Sequence, residues 1–332
     1  MTTNATTNDY PLAASEANGT PQVTVVIPTR DRGSGPVGSL ARLLAVDDPR
    51  FAARVVDQSV DHTTQEALAK LGPDPRLHYQ RSATRGISAA LNVGIEAAES
   101  ELIAITGDDC EPSATWLNEM IAPFALDPRI GVVFGTILAG AHDESVGFVA
   151  GYECSDVVHA KGIRDQHRIG GTSACMALRK HVWEALGGFD EMLGVGAPLR
   201  AAEDLDFTLR ALLHGVHVYE TPAAKVVHRG FYPWAERAAL IERNWFGTGA
   251  AFAKCLRRGQ PAALLNLGHL AWRWASAGPS PVAAGLGDRP VPGSMIAAAL
   301  TRGFLSGVRT PVDRASGHYR RPSGAAADST KP

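Results

Sequence analysis

The sequence predicts an α/β fold in which a mostly parallel sheet is flanked by helices. Short apolar runs alternate with segments of helical periodicity between residues 23 and 106, which is typical of βαβ units. Two of these runs stop at carboxylates, one at Asp57 and one at Asp108 and Asp109, as strands do where their carboxyl ends line a ligand crevice. The 332 residues, 45% of them hydrophobic, are enough for one large domain or two small ones.

The first strand and the third helix show the alternation most clearly. Val23–Ile27 is a β-branched run closed by Pro28, which predicts a buried strand. Residues 86–98 carry apolar side chains at a period of about 3.6, which predicts a helix. The other elements predicted in this half are strands at 55–57, 77–79 and 101–106 and helices at 39–45 and 63–71.

Beyond residue 112 the alternation loosens. Pro112 is interpreted as the first residue of a helix, because proline is favoured at that position. Residues 155–171 are charged and end in two glycines, so they are a candidate mobile loop. The elements predicted in this half are helices at 116–124, 180–186, 203–214 and 234–256 and strands at 131–134, 148–149, 216–219 and 225–228.

The two ends of the chain lack periodicity. Residues 1–20 are rich in Thr, Asn and Ala, and residues 310–332 are rich in Ser, Pro, Arg and Gly, so both are predicted to be disordered tails. Residues 259–309 mix Trp, Leu and Arg and predict a helical extension. Its helices either pack on the preceding domain or lie on a membrane surface or a partner.

Composition excludes several classes of protein. The formal net charge of −2 gives no general reason to expect nucleic-acid binding. The four cysteines lack metal-ligand spacing, and nothing at the start of the sequence resembles a signal peptide. Uninterrupted apolar segments stay shorter than the roughly 18 residues that a spanning helix needs. A cytoplasmic protein is expected, and peripheral association with the inner membrane face is the alternative.

The stretch Ile105–Pro112 carries the strongest chemical signal. An apolar run of strand length ends at Asp108 and Asp109. Two adjacent carboxylates at a strand end are suited to a hard cation and to the phosphates that the cation neutralises. Taken alone, the same residues also fit a polar turn that happens to be acidic.

Six short motifs follow one another along the chain, namely Thr24–Arg32, Val55–Asp57, Arg85–Gly94, Gly107–Asp109, Ala202–Asp206 and Val227–His228. In this order they resemble the motifs of the inverting, family-two glycosyltransferases of the GT-A fold. The resemblance covers about residues 22 to 258. It implies a GT-A domain at 21–258, with a nucleotide-sugar-binding half at 21–112 and an acceptor half at 113–258.

The resemblance implies that the donor nucleotide is bound at the ends of the first two strands. It assigns Pro28, Thr29 and Asp57 to that role and brings Arg85 to the base or the diphosphate, with Asp108 at the ribose or behind the metal. Carboxylate acceptors together with a guanidinium suit an anionic diphosphate that carries a base. Asp57 would otherwise cap a helix, and Arg85 would otherwise be a solvated surface arginine.

The resemblance also implies a divalent metal. The family's Asp-x-Asp motif departs here at Gly107, so that by position Asp109 would be the metal ligand, with His228 as the late metal-binding histidine. Imidazole is a better ligand for Mn²⁺ than for Mg²⁺, which favours manganese over magnesium. The alternative interpretation of His228 is a surface histidine at a strand end.

Glu203 and Asp204 stand where the family has its catalytic acidic pair. An inverting transfer needs one carboxylate near the acceptor hydroxyl, and this role falls to Asp204, with Glu203 in an orienting role. Asp204 would otherwise cap its helix. Gly171, Thr172 and Ser173 resemble the family's segment beside the acceptor site, where small residues let a sugar approach, although two glycines before a strand also fit a turn.

The function implied is transfer of a sugar from a nucleotide-diphosphate-sugar to a hydroxyl-bearing acceptor by a single displacement. Two other classes compete with it. A nucleotidyltransferase that makes activated sugars usually has a glycine-rich loop with a Lys or Arg after the first strand, and the run from Pro28 to Gly33 lacks that form. A non-catalytic sugar-nucleotide-binding protein is conceivable because of Gly107, whereas Asp204 and His228 argue for activity.

Overall fold

The fold is described from a computed structural model, which describes residues 21–46, 50–269 and 291–321. The predicted tail at 1–20 and the stretch 322–332 lie outside the described residues. The strands are β1 Val23–Thr29, β2 Phe51–Asp57, β3 Leu77–Arg81, β4 Leu102–Thr106, β5 Cys110–Pro112, β6 Ile130–Ala139, β7 Gly147–Val149, β8 Val158–Ala160, β9 Cys175–Arg179, β10 His217–His228 and β11 Phe231–Pro233. The α-helices are α1 Gly35–Leu44, α2 Thr63–Ala69, α3 Ile87–Glu96, α4 Trp116–Ile121, α5 Lys180–Ala185, α6 Glu203–Leu213, α7 Arg237–Arg257 and α8 Gly293–Arg309.

The main sheet has the strand order β3-β2-β1-β4-β9-β6-β10-β5, and β8 also pairs with β10. Strands β1, β2, β3 and β4 are parallel neighbours, as are β6 and β10, while β5, β8 and β9 run antiparallel to the strands they contact. The predicted α/β class, with a mostly parallel sheet flanked by helices, is confirmed. Because most strands share one direction, the carboxyl ends of β1, β2, β4 and β10 lie at the same edge.

The sheet separates two apolar cores. Alternate residues of β1 point to opposite faces, so that Val25 lies in one core and Val26 in the other. Leu40 of α1 and Trp116 of α4 belong to the first core, and Leu91 of α3 belongs to the second. The strands are therefore covered on both faces, which explains their nearly continuous apolar runs in the sequence.

Three elements differ from the sequence prediction. Pro112 does not begin a helix, because Cys110–Pro112 pairs antiparallel with β10 and α4 begins only at Trp116. The strands predicted at 216–219 and 225–228 are one strand, β10, whose pairing with β6 is interrupted between Glu220 and Lys225 by a change of register. Strand β9 enters the sheet antiparallel between β4 and β6.

The C-terminal helices pack on the domain. Helices α7 and α8 come close because Gly249 and Gly303 leave no side chain between them: a Cβ at Gly303 would lie 1.9 Å from the carbonyl oxygen of Phe246. The prediction of a disordered tail is wrong for residues 310–321, since Tyr319 is buried and its hydroxyl donates to the Ala250 carbonyl at 2.7 Å. Among the described helices, none is both long enough and apolar enough to cross a membrane.

Candidate active site

The ends of β1 and β4 meet through a side-chain hydrogen bond. Thr29 Oγ1 donates to Asp108 Oδ2 at 2.7 Å, and Ser39 Oγ of α1 donates to the Asp108 carbonyl at 3.1 Å. Burial raises the pKa of the Asp108 carboxyl above its ordinary value, against the opposing effects of the Thr29 hydrogen bond and the Arg32 charge. Pro28, within β1, precedes this contact and is partly exposed.

Asp57 ends β2 as a fully buried carboxylate. Its Oδ1 accepts the Ser59 amide at 2.8 Å, and its Oδ2 accepts the Tyr79 hydroxyl at 2.8 Å. The helix-cap interpretation of Asp57 is excluded, because α2 begins at Thr63 and its cap position is His62. Arg85 lies exposed just before Gly86, whose φ of 97° requires glycine, and the structure does not bring Arg85 into an ion pair with Asp57 or Asp108.

Asp109 and His228 face each other at the same edge of the sheet. His228 Nε2 lies 3.4 Å from Asp109 Oδ1, and His228 Nδ1 lies 2.7 Å from the carbonyl oxygen of Ala150. A carbonyl only accepts, so Nδ1 carries a proton, and Nε2 is the nitrogen turned toward Asp109. The hydrogen bond to the Ala150 carbonyl fixes the ring orientation, as such bonds do for metal-ligating histidines.

Arg32 is the site residue that sequence reasoning left without a role. Its guanidinium lies between the two carboxylates, with Nη2 at 3.0 Å from Asp109 Oδ2 and Nε at 3.7 Å from Asp108 Oδ2. Burial alone would raise the pKa of Asp109, but its contact with His228 and the charges of His228 and Arg32 hold that pKa below its ordinary value. The motif Thr24–Arg32 contained the signal, since a guanidinium follows the strand end directly.

Glycines keep the space around Asp109 open. A Cβ at Gly230 would lie 2.6 Å from His228 Nε2 and 2.7 Å from Asp109 Oδ2, which is too close for any side chain. A Cβ at Gly107 would lie 3.0 Å from Asp109 Oδ1. A side chain at position 107 would therefore crowd the Asp109 carboxylate, and glycine, which replaces the first aspartate of the Asp-x-Asp motif, avoids this contact.

The residues present fit a divalent cation. Asp109 and His228 form with Cys110 a group whose ligand atoms all lie within 4.8 Å of one another. Burial raises the pKa of the Cys110 thiol well above its ordinary value, which keeps the sulfur protonated and unsuited to a metal. One carboxylate oxygen and one imidazole nitrogen remain as protein ligands, which suits an ion that takes its other ligands from phosphates and water.

Glu203 and Asp204 begin α6 after a strained turn. The residue before them, Ala202, has a φ of 72°, a left-handed conformation that side chains other than glycine rarely adopt. Asp204 Oδ1 accepts the Leu205 amide at 2.7 Å, and its Oδ2 accepts the Ser173 amide at 3.2 Å. Asp204 is not at the cap position, which belongs to Ala202, but one of its oxygens still accepts a first-turn amide of α6 while the other contacts the acceptor segment.

The two carboxyls lie at the wall of a cavity of about 560 Å³. Ser173 Oγ donates to Glu203 Oε1 at 2.9 Å, so the acceptor segment and the acidic pair form one hydrogen-bonded unit. Gly171 and Thr172 line the same cavity, and a Cβ at Gly171 would lie 2.3 Å from Phe134 Cβ. The turn interpretation of the two glycines is therefore incomplete, since Gly171 also permits this close packing.

Burial dominates the electrostatics of the acidic pair. It raises the pKa of Glu203 to about 7, with the Asp204 charge acting in the same direction, and it raises the pKa of Asp204 above its ordinary value. Sequence reasoning missed Arg243 of α7, which lines the cavity and whose charge lowers the pKa of Glu203. Its position in the sequence gives no signal, because only the fold brings α7 to α6.

Sequence comparison shows which proteins the chain is similar to. Residues 24–181 match the family model Glycosyl transferase family 2. This part of the chain therefore carries the domain of that family. It is 29% identical over 218 residues to the pre-mycofactocin glycosyltransferase of Mycobacterium tuberculosis, which covers 62% of this chain and 42% of that protein. It is 28% identical over 229 residues to the O-antigen biosynthesis protein RfbC of Myxococcus xanthus, which covers 63% of this chain and 17% of that protein.

A solved structure shows the same fold as this chain. The mannosyltransferase PcManGT from Pyrobaculum calidifontis, determined in complex with GDP-Man and Mn²⁺, superposes with a TM-score of 0.56 at 21% identity, over 87% of this chain and 88% of that chain. The prediction of a GT-A-type fold is confirmed, and so is the prediction of a family 2 transferase. The matched regions span less than half the length of the curated relatives.

Proposed function

We propose that this protein is an inverting glycosyltransferase that moves a sugar from a nucleotide-diphosphate-sugar to an acceptor hydroxyl by a single displacement. The observation that carries the proposal is the position of Asp204, a carboxylate held by two backbone amides at the wall of a large cavity. Tyr232 lines that cavity and also lies within electrostatic range of Arg32, so the cavity adjoins the cluster of Asp108, Asp109 and Arg32.

The donor binds at the carboxyl ends of β1, β2 and β4. Asp57 offers buried carboxylate oxygens and Thr29 a buried hydroxyl, and the two residues are opposite each other at neighbouring strand ends. Arg85 is exposed on the loop before α3. Arg32 is half exposed, so its guanidinium is able to turn from the carboxylates toward a diphosphate. The PcManGT structure, which shares this fold and contains GDP-Man and Mn²⁺, supports a nucleotide-sugar donor and a divalent cation.

Asp109 and His228 are the residues that would hold the cation, with Asp108 behind them. When bound, a divalent cation would supply charge neutralisation for the diphosphate, which would then need no protonation to leave. The imidazole ligand favours Mn²⁺ over Mg²⁺. The role of the chain is to present one oxygen of Asp109 and Nε2 of His228, which must give up its proton for a cation to bind there, and the missing side chain at Gly230 leaves room for both.

Asp204 removes the proton from the acceptor hydroxyl. Its two oxygens accept amide hydrogen bonds, which fix the carboxylate and still leave lone pairs for the acceptor. Glu203, tied to Ser173, orients the pair and shapes the acceptor side with Gly171 and Thr172. Because one displacement gives one inversion, release of a nucleoside diphosphate together with an inverted anomeric product is the direct test of this function.

A nucleoside diphosphate should stabilise the protein only when a divalent ion is present. At a ligand concentration of about 100 times the dissociation constant the gain is about 2.7 kcal/mol in the free energy of unfolding. Asp109→Ala should remove most of the metal dependence, because it deletes the carboxylate that faces His228. Thermal-shift curves with Mn²⁺, with Mg²⁺ and with excess chelator measure this. Equal stabilisation in the chelator would exclude the metal assignment.

Gly230→Ala should weaken divalent-ion binding by on the order of 10-fold or more. The added methyl would lie 2.6 Å from His228 Nε2 and 2.7 Å from Asp109 Oδ2, so one of the two ligands must move. Gly162→Ala is the matched control, because a Cβ there meets nothing within 4 Å. Isothermal titration with Mn²⁺ and a nucleoside diphosphate compares the two variants, and equal affinities would contradict the proposed ligand pair.

The ratio kcat/KM should decrease at acid pH, and the pH at which it decreases should be set by protonation of the pair Glu203 and Asp204. Burial raises both pKa values, that of Glu203 to about 7 and that of Asp204 above 3.8. A base must be deprotonated, so activity is complete above the apparent pKa values of the pair and is lost as the pH falls through them.

Ser173→Ala provides the check on this acid limb of the pH profile. The substitution removes the hydrogen bond that lowers the pKa of Glu203, so the pKa of the pair should rise and the acid limb should move to higher pH. The pH dependence of kcat/KM for the two proteins measures the displacement. A limb in the same place for both would mean that the acidic pair does not control it.

A further inference from the structure

A second group of metal-type ligands lies at the other end of β10. His159, His217 and Asp127 each offer one ligand atom, and these atoms all lie within 4.8 Å of one another. His217 is the first residue of β10 and His228 the last. An extended segment of that length spans on the order of 30 Å, so this group is far from the candidate active site.

The sheet fixes the three side chains. Tyr219 of β10 is directly opposite His159 of β8, and His217 lies two residues from Tyr219 on the same face of the strand. The His159 ring packs edge-on against the Tyr219 ring with centroids 5.8 Å apart. The His217 amide donates to the Arg129 carbonyl at 2.8 Å, which brings the turn that carries Asp127 beside the two histidines.

The distances suit one ion. His159 Nε2 lies 3.0 Å from His217 Nδ1, and His217 Nδ1 lies 3.3 Å from Asp127 Oδ2. Two ligands bonded at about 2.0–2.1 Å to a tetrahedral zinc ion are about 3.3 Å apart. If His217 Nδ1 carries a proton, it donates a hydrogen bond to His159 or to Asp127, but not fully to both. A cation between the three ligand atoms would accept a lone pair from each of them.

The surroundings of Asp127 resemble an outer ligand shell. Arg129 donates through Nη2 to Asp127 Oδ2 at 2.9 Å and through Nε to Oδ1 at 3.1 Å, which fixes the carboxylate plane. Arg129 is exposed, so solvent screens its charge. His217 is buried, whereas His159 and Asp127 are partly exposed, which leaves a route for the ion and an open coordination position.

We propose that His159, His217 and Asp127 form a structural site for a divalent transition metal, zinc by its ligand chemistry, independent of sugar transfer. Two imidazole nitrogens and a carboxylate oxygen are a ligand set that zinc takes. The ion would join β8 and β10 to the turn before β6. Residues 163–168, a 3₁₀ turn that follows β8, lead into the acceptor segment, so the site anchors the start of that segment.

The test uses the untagged full chain after treatment with a chelator. Zn²⁺ is titrated against a competing chromophoric chelator, and Co²⁺ is added separately to read the absorption of a tetrahedral ion. Without nucleotide, the wild type should bind one Zn²⁺ tightly, and that ion should persist in His228→Gln. His159→Gln should lose that ion, with an affinity reduced by more than the roughly 10- to 100-fold that an outer-shell change costs. His78→Gln, at an exposed histidine outside the group, is the matched control.

His159→Gln is preferred to a substitution of the buried His217, because a partly exposed side chain is replaced with little effect on packing. Its melting temperature in chelator should equal that of the wild type. Zn²⁺ should raise the melting temperature of the wild type and of His228→Gln, and not that of His159→Gln. Equal Zn²⁺ affinity in wild type and His159→Gln, or loss of the ion in His228→Gln alone, would overturn the proposal.

Discussion

Replacing Asp204 with asparagine should reduce sugar transfer by roughly 10²–10⁴-fold, the loss typical of removing an acid–base catalyst. Asparagine keeps the shape of the side chain and still accepts one of the two amide hydrogen bonds, from Leu205 or from Ser173. It cannot take the proton of the acceptor hydroxyl. The measurement is kcat for transfer, with nucleoside diphosphate release as the readout.

Three comparisons make the Asp204→Asn result specific. Donor affinity should hardly change, because the donor residues lie at the ends of β1, β2 and β4 and not on α6. Asp165→Asn, a matched substitution at an aspartate whose carboxylate accepts the Lys161 amide, should keep wild-type activity. Glu203→Gln should cost less than Asp204→Asn, since Glu203 orients the pair. Full activity in Asp204→Asn would exclude Asp204 as the base.

The anomeric configuration of the product tests the displacement separately from the base. One nucleophilic attack opposite the leaving diphosphate inverts the configuration, so the product formed by the wild type should carry the opposite configuration to the donor. Analysis of the product by nuclear magnetic resonance, early in the reaction, measures this. A retained configuration would exclude a single displacement even if Asp204→Asn were inactive.

Local sequence pattern predicted the first half of the fold well. Strands β1, β2 and β4 are short, mainly apolar runs, and the connections between the strands have helical periodicity, so local pattern and tertiary structure agree there. It failed where pairing is long-range. Cys110–Pro112 became a strand because β10 offers it an antiparallel edge, and that edge comes from residues 226–228, far along the chain. A proline after two aspartates carries no trace of this partner.

Site residues that lie within a sequence motif could be predicted, whereas contacts that depend on the tertiary fold could not. Asp108, Asp109 and His228 stand at strand ends, which the sequence marks. The contact between Arg32 and the two aspartates depends on how the loop after β1 turns, which includes a positive φ of 52° at Asp31. The glycine at 230 has a role only because β10 and the end of β4 converge on it.

The C-terminal extension is joined to the acidic helix by a buried ionic cluster that no sequence pattern indicated. Lys254 Nζ of α7 lies 2.6 Å from Asp190 Oδ2 and 2.5 Å from Asp206 Oδ1. Arg210 Nε lies 2.9 Å from Asp206 Oδ2, and the Tyr319 amide donates to Asp190 Oδ2 at 2.8 Å. Asp206 is in the first turn of α6 with Asp204, so this cluster holds the helix that carries the proposed base.

The cations of the cluster control the pKa of its buried carboxyl Asp206. Burial alone would raise the pKa of Asp206, but the charges of Lys254 and Arg210 hold it below its ordinary value. A carboxyl whose pKa is lowered on folding adds stability above its unfolded pKa and loses that contribution as the pH falls through the folded value. Two carboxylates and two cations, all buried, therefore depend on one another at neutral pH.

Lys254→Met should destabilise the protein by about 3–5 kcal/mol, the usual cost of leaving a buried charge without its partner. Methionine keeps most of the apolar volume, so the loss reports the Asp190 carboxylate without its lysine and the Asp206 carboxylate with Arg210 as its remaining partner. Unfolding in urea measures the difference, and Lys225→Met, at an exposed lysine, should stay within about 0.5 kcal/mol of the wild type. The deficit should shrink toward acid pH, as the pH falls through the lowered pKa of Asp206. A deficit that does not depend on pH would show that packing, and not charge, is what Lys254 contributes.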